Sequence, residues 1–68
     1  MDNKVIKFAE LCAKSCTVGL TMEQHSEKKK LANEMVEEGI MTYYDGCYDF
    51  VNEADGDFFQ ETIEKSKL

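Results

Sequence analysis

Apolar residues recur at helical spacing at the start of the chain. Val5, Phe8, Ala9, Cys12 and Cys16 fall on one face of residues 3–16, and Glu10 sits four before Lys14 on another. The pattern predicts a helix with Asn3 as its cap and Gly19 beyond its end, where Thr17 and Val18 weaken continuation. A second helix is predicted to start after Thr21, which has capping-box spacing to Gln24. Its first half, MEQHSEKKK, is polar on every side, and its second half offers Leu31, Ala32, Met35 and Val36 as a buried stripe before Gly39 stops it. Glu37 and Glu38 stand in the last turn, where the helix dipole disfavours anions, and this misplacement marks them as candidates for a binding surface.

After Gly39 the period changes. Asp45-Gly46 is a type I′ turn pair between candidate strands 40–44 and 47–51. A two-residue turn sets Tyr44 opposite Cys47, Tyr43 opposite Tyr48, Thr42 opposite Asp49 and Met41 opposite Phe50. One face then reads Met41, Tyr43, Tyr48, Phe50, all apolar or aromatic, and the other is mixed. A short helix over 47–54 is the rival. Residues 52–57, NEADGD, read as a turn, and Asp57 as the cap of a last helix with Phe58, Phe59 and Ile63 inward and Lys65 and Lys67 at its negative end. The predicted fold is one small domain over 1–68, α+β and helix-rich, with two N-terminal helices, a two-stranded hairpin and a C-terminal helix. An all-α bundle is the alternative.

Size and charge narrow what such a domain does. A 68-residue chain buries only about 60% of its unfolded surface, so a homodimer or a larger partner is the default expectation. The net charge is −6. All eight cations are Lys, six of them within residues 1–30, while residues 31–64 hold ten acids and no Lys. The absence of Arg and of a basic majority disfavours nucleic-acid binding. No apolar run has the length of a signal peptide or a membrane span, and three Cys is an odd number, so a reduced, cytoplasmic protein is expected with its Cys as small apolar residues.

Several residue sets suggest a chemistry, and each has a plainer role. Cys12, Cys16, Cys47 and His25 would make a zinc-type set, but the first two lie inside an amphipathic helix pattern rather than a knuckle, and no metal is expected. The stretch EADGDFFQETIE resembles an EF-hand loop in the spacing of Glu53, Asp55, Asp57 and Glu64. It departs from that family at Phe58, where Gly is required, at Gln60, and in having Glu first. The only His is on a polar helix face, and no nucleophile pairing or phosphate loop appears, so neither an enzyme nor a cofactor is expected. Helix, helix and a two-stranded wing resemble a winged helix-turn-helix in outline, with Lys28–Lys30 as phosphate contacts, yet Asp45 would sit at the wing tip.

Residues 41–59 hold six of the seven aromatics and five carboxylates without one positive charge. Aromatic side chains supply large contact area at little entropy cost, and spaced carboxylates steer toward basic partners. The expected partner-binding residues are Tyr43, Tyr44, Asp45, Tyr48, Asp49, Glu53, Asp55 and Asp57. The expected function is a small acidic protein-binding module, a regulator or inhibitor acting by occlusion of a basic partner, in part as a stand-in for a nucleic-acid backbone. Small acidic proteins of phages and mobile elements fit that description, though no motif identifies one. The alternatives are a winged-helix DNA-binding regulator and a structural subunit.

Overall fold

The computed structural model of the chain describes residues 2–67. Helix α1 spans Asn3–Ser15, α2 Met22–Glu37, strand β1 Met41–Tyr44, β2 Cys47–Phe50, and α3 Glu53–Ser66. The architecture is the α+β, helix-rich one that the sequence predicts, and the short helix over 47–54 and the all-α bundle are both set aside by the paired strands.

Each boundary has a local cause. Asp2, one residue before the expected Asn3, caps α1, its Oδ1 accepting from the Lys4 amide at 2.8 Å. The capping box of α2 is closed in both directions: the Gln24 amide donates to Thr21 Oγ1 at 3.2 Å, and the Thr21 amide donates to Gln24 Oε1 at 3.1 Å. Its far end is a Schellman motif. Gly39 takes φ +79°, its amide donates to the Val36 carbonyl, and the Ile40 amide donates to the Met35 carbonyl at 2.9 Å.

The hairpin follows at once. Asp45 at φ +53° and Gly46 at φ +80° form the left-handed pair of a type I′ turn. The register is Met41 with Phe50, Thr42 with Asp49, Tyr43 with Tyr48 and Tyr44 with Cys47, as the turn pair requires. The Val51 amide donates to the Ile40 carbonyl and extends the ladder by one bond.

One boundary differs from expectation by more than a residue. Residues 52–57 are not a turn and Asp57 is not a cap. Asn52 caps α3 through its Oδ1, which accepts from the Ala54 amide at 2.8 Å, so the helix begins five residues earlier. Glu53 and Asp55 thereby fall in its first turn, where the positive helix end favours carboxylates. The same finding removes the EF-hand resemblance, because residues 53–64 lie wholly within α3 and leave no loop to wrap an ion.

The core is Val5, Phe8 and Cys12 of α1, Leu31, Ala32 and Met35 of α2, and Met41 of β1. Helix α1 packs against both α2 and α3, while β1 lies on α2 and β2 beside α3. Phe58, Phe59 and Ile63 of α3 pack against this core but are only half-buried, and α3 contains no fully buried residue. Val36 is likewise half-buried. Cys16, expected on the buried face of α1, lies beyond the helix end at its cap position and is exposed, as is Cys47.

Candidate functional site: an aromatic trough with walls of opposite charge

The hairpin carries one aromatic face, but the helices cover only half of it. Met41 and Phe50, at the open end of the hairpin, meet the core, with Met41 only 3% exposed. Two residues further along each strand, about 7 Å away, Tyr43 and Tyr48 project past the helices on the same face. Their ring centroids are 4.7 Å apart. They are 56% and 39% exposed, and Tyr44, on the opposite face, is 83% exposed. The rings thus divide by position along the hairpin: those at its base make core, and those near its turn make surface.

Beneath Tyr48 lies a second aromatic group. Phe8 stacks on Phe59 at 5.7 Å, and Phe50 meets Phe59 at 5.4 Å and Phe8 at 6.4 Å. This trio, with Met41 and Ile63, floors an open groove of about 640 Å³ between the hairpin and α3. Its acidic side carries Asp49 of β2 and Glu53, Asp57 and Glu64 of α3, with Lys67, just past the helix end, as the one cation that lines it. The α3 residues follow one another at four- and seven-residue steps, so a single helix face presents them all.

Of the eight residues expected from sequence, Tyr48, Asp49, Glu53 and Asp57 line this groove, and Tyr43 joins through its contact with Tyr48. Tyr44 and Asp45 stand outside it, exposed at the hairpin tip, and Asp55 is half-buried and does not line it. Seven of the eight expected residues therefore fall on two adjoining surfaces, a groove and a tip. Phe8, Gln60 and Glu64 are lining residues that the sequence reading missed. The signal for Gln60 and Glu64 was present as a helical stripe continuing from Glu53 and Asp57, hidden by the misplaced start of α3.

A second groove, of about 440 Å³, adjoins the first on the side of α2. Phe8 and Tyr48 line both grooves, so the two form one trough over α1. Here the floor is Phe8, Cys12, Ala32 and Tyr48, and the rim is His25, Lys28 and Lys29. Burial pushes the Cys12 thiol above its ordinary value, against a smaller opposite effect of Lys28. The trough therefore has an apolar floor, a basic wall on α2 and an acidic wall on α3.

Among the described residues, the charges at the heart of these walls are in no ion pair. Ion pairs among the described residues join Lys4 to Glu34 and Glu38, Lys7 to Glu27, and Lys65 to Glu61, and none includes Lys28, Lys29, Glu53 or Asp57. Glu64 has one long hydrogen bond, from Gln60 at 3.5 Å. Glu38, singled out as a misplaced anion, has its structural answer in Lys4, whose Nζ donates to it across the α1–α2 junction.

The Cys and His positions do not converge. Cys12 and His25 share the basic groove, whereas Cys16 and Cys47 do not line it, and among the described residues no three His, Cys, Asp or Glu side chains form a metal-binding group. No helix among the described residues is long and apolar enough to cross a membrane. Comparison with protein-family models, with curated proteins and with solved structures finds no match to this chain.

Proposed function

We propose that the chain is a protein-binding module, of the regulator or inhibitor kind, that presents its hairpin and the head of α3 to a partner with a basic surface. The observation that supports this reading is the exposure of Tyr43, Tyr44 and Tyr48 on one hairpin, beside Asp45, Asp49 and Glu53, none of which is in an ion pair among the described residues. Exposed carboxylates without partners cost little in water and attract a cationic surface over roughly a Debye length, which raises the association rate. Tyrosines at the contact then bury ring area while their hydroxyls keep a polar handle. The mechanism is occlusion: Lys and Arg of the partner pair with the carboxylates and lose access to their usual anionic ligand. Asp45 at the hairpin tip weighs against the winged-helix alternative, since a wing laid on a phosphate backbone would bring like charges together.

The test is capture from host extract on the wild-type chain, followed by association kinetics of the captured protein with wild type and with Asp45→Lys/Asp49→Lys. The expected result is a roughly tenfold slower association for the variant and a flatter salt dependence. Equal rates for the two chains, insensitive to salt, would remove the reading.

A further inference from the structure

The trough points beyond a heterologous partner. Its two walls are of opposite net charge, with Lys28, Lys29, Glu53 and Asp57 in no ion pair among the described residues, and they flank a shared line of Phe8 and Tyr48. A surface divided in this way is complementary to itself. In an isologous pair the same patch meets its own copy, and a twofold axis lying in the interface exchanges the two sides of the dividing line. With that axis along Phe8 and Tyr48, the basic wall of each copy faces the acidic wall of the other.

The geometry points to a homodimer in which a second copy of this chain occupies the trough. Lys28 and Lys29 of each protomer reach over the partner's acidic groove. Their four-carbon stems lie along the apolar floor, and their ammonium groups meet the carboxylates of Asp57 and Glu64. The two Tyr48 rings meet at the axis.

The packing of α3 supports the same occupant. This helix has no buried residue, and its Phe59 and Ile63 are half-buried and line the groove that the second copy would close. A stable interface covers about 800 Å² per partner, roughly a sixth of the 4898 Å² that the chain exposes. A chain of this length gains from such burial, because its own core is small. The hairpin tips, with Tyr44 and Asp45, do not line either groove and stay free on both copies. The dimer would therefore offer a partner two tips carrying Tyr44 and Asp45, while Tyr48, Asp49 and Glu53 of the surface proposed above pass into the interface between copies.

The experiment is sedimentation velocity with native mass spectrometry on the full chain at micromolar concentration and low salt. The expected species has twice the 7.8 kDa mass of the chain. Lys28→Glu/Lys29→Glu makes both walls acidic, and Asp57→Lys/Glu64→Lys leaves Asp49 and Glu53 against two new lysines and Lys67, so that neither wall is then net acidic. Each variant alone is expected to run as a monomer, an equimolar mixture to form a heterodimer, and a chain carrying all four changes to regain the homodimer. A wild-type chain that stays monomeric throughout overturns the proposal, and so does a homodimer that survives either wall reversal. Recovery in the mixture separates loss of contact from loss of fold, which circular dichroism of each variant also checks. Asp45→Lys, at the tip, should leave the dimer intact, and a dimer lost in that variant would place the interface elsewhere.

Discussion

Tyr43 and Tyr48 stand opposite each other across the hairpin, ring centroids 4.7 Å apart and planes tilted by 56°. Aromatic pairs in such contact contribute about 0.5–1.5 kcal/mol beyond their area burial, and these rings, both in contact with water, belong at the lower end. A double-mutant cycle on Tyr43→Ala and Tyr48→Ala, read by urea unfolding at one fixed protein concentration, should return a coupling of about 0.5 kcal/mol. Tyr48→Ala should cost more than Tyr43→Ala, because Tyr48 is the less exposed ring and also lines both grooves. Equal single losses with no coupling would mean that the pair is merely adjacent.

Lys4 links the first turn of α1 to the last turn of α2. Its Nζ donates to Glu38 and lies 3.6 Å from Glu34. The hydrogen bond to Glu38, followed by the nearby carboxylates, raises the Lys4 pKa above its ordinary 10.5. A group whose folded pKa is raised contributes stability that is complete below the unfolded value and disappears as pH rises through the folded one. The difference in urea midpoint between wild type and Lys4→Met should therefore be constant through neutral pH and shrink only above 10.5. Added salt should shrink it at any pH, since both partners are substantially solvated. A difference that persists unchanged above that pH would assign the loss to the lysine stem rather than its charge.

The start of α3 offers a direct comparison of two caps. Asn52 accepts from the Ala54 amide, so Asn52→Ala should cost about 1 kcal/mol in thermal or urea unfolding. Asp57, now inside the helix and exposed, should lose less than about 0.5 kcal/mol on replacement by Ala. Gly56 sits in the same helix, and an added Cβ would lie 3.8 Å from Phe50 Cβ, an ordinary contact. Gly56→Ala should therefore stabilise by about 0.5–1 kcal/mol. The reverse ranking of Asn52 and Asp57 would restore a turn over 52–57.

That helix start also shows where the sequence was legible and where it was not. The type I′ pair Asp45-Gly46 and the capping box at Thr21 were readable because each is a local device whose geometry is set within four residues. Around Asn52 two local devices competed. Asn52 and Asp57 are both good caps, and Gly56 argued for a loop, so only the packing of Phe58, Phe59 and Ile63 against α1 and β2 decided between them. The trough was half legible for the same reason. Its anions and tyrosines follow one another in sequence, but Phe8 and the Lys28–Lys29 wall come from distant segments. They join the site only because α1 lies between α2 and α3.

The three thiols should differ sharply in reactivity. Cys16 and Cys47 are exposed, whereas Cys12 is only 7% exposed beneath the basic groove. Only a thiolate attacks an electrophile, and burial raises the Cys12 pKa above its ordinary 9.0, so Cys12 is both covered and short of thiolate. With a small disulfide reagent at near-neutral pH, two thiols should react quickly and one slowly, and all three quickly in denaturant. Lys28 opposes the upward shift, so Lys28→Met should slow Cys12 further without changing the other two. Because the unfolded chain ionises first, the stability contributed by a neutral Cys12 is present below pH 9.0 and lost above it. A Cys12→Ala chain should therefore lose less stability than wild type between neutral and strongly alkaline conditions. If a second copy covers the trough, the slow rate should also fall as protein concentration rises. A Cys12 rate that matches Cys47 at every concentration would mean that the groove is open in solution and that α1 is not seated as described.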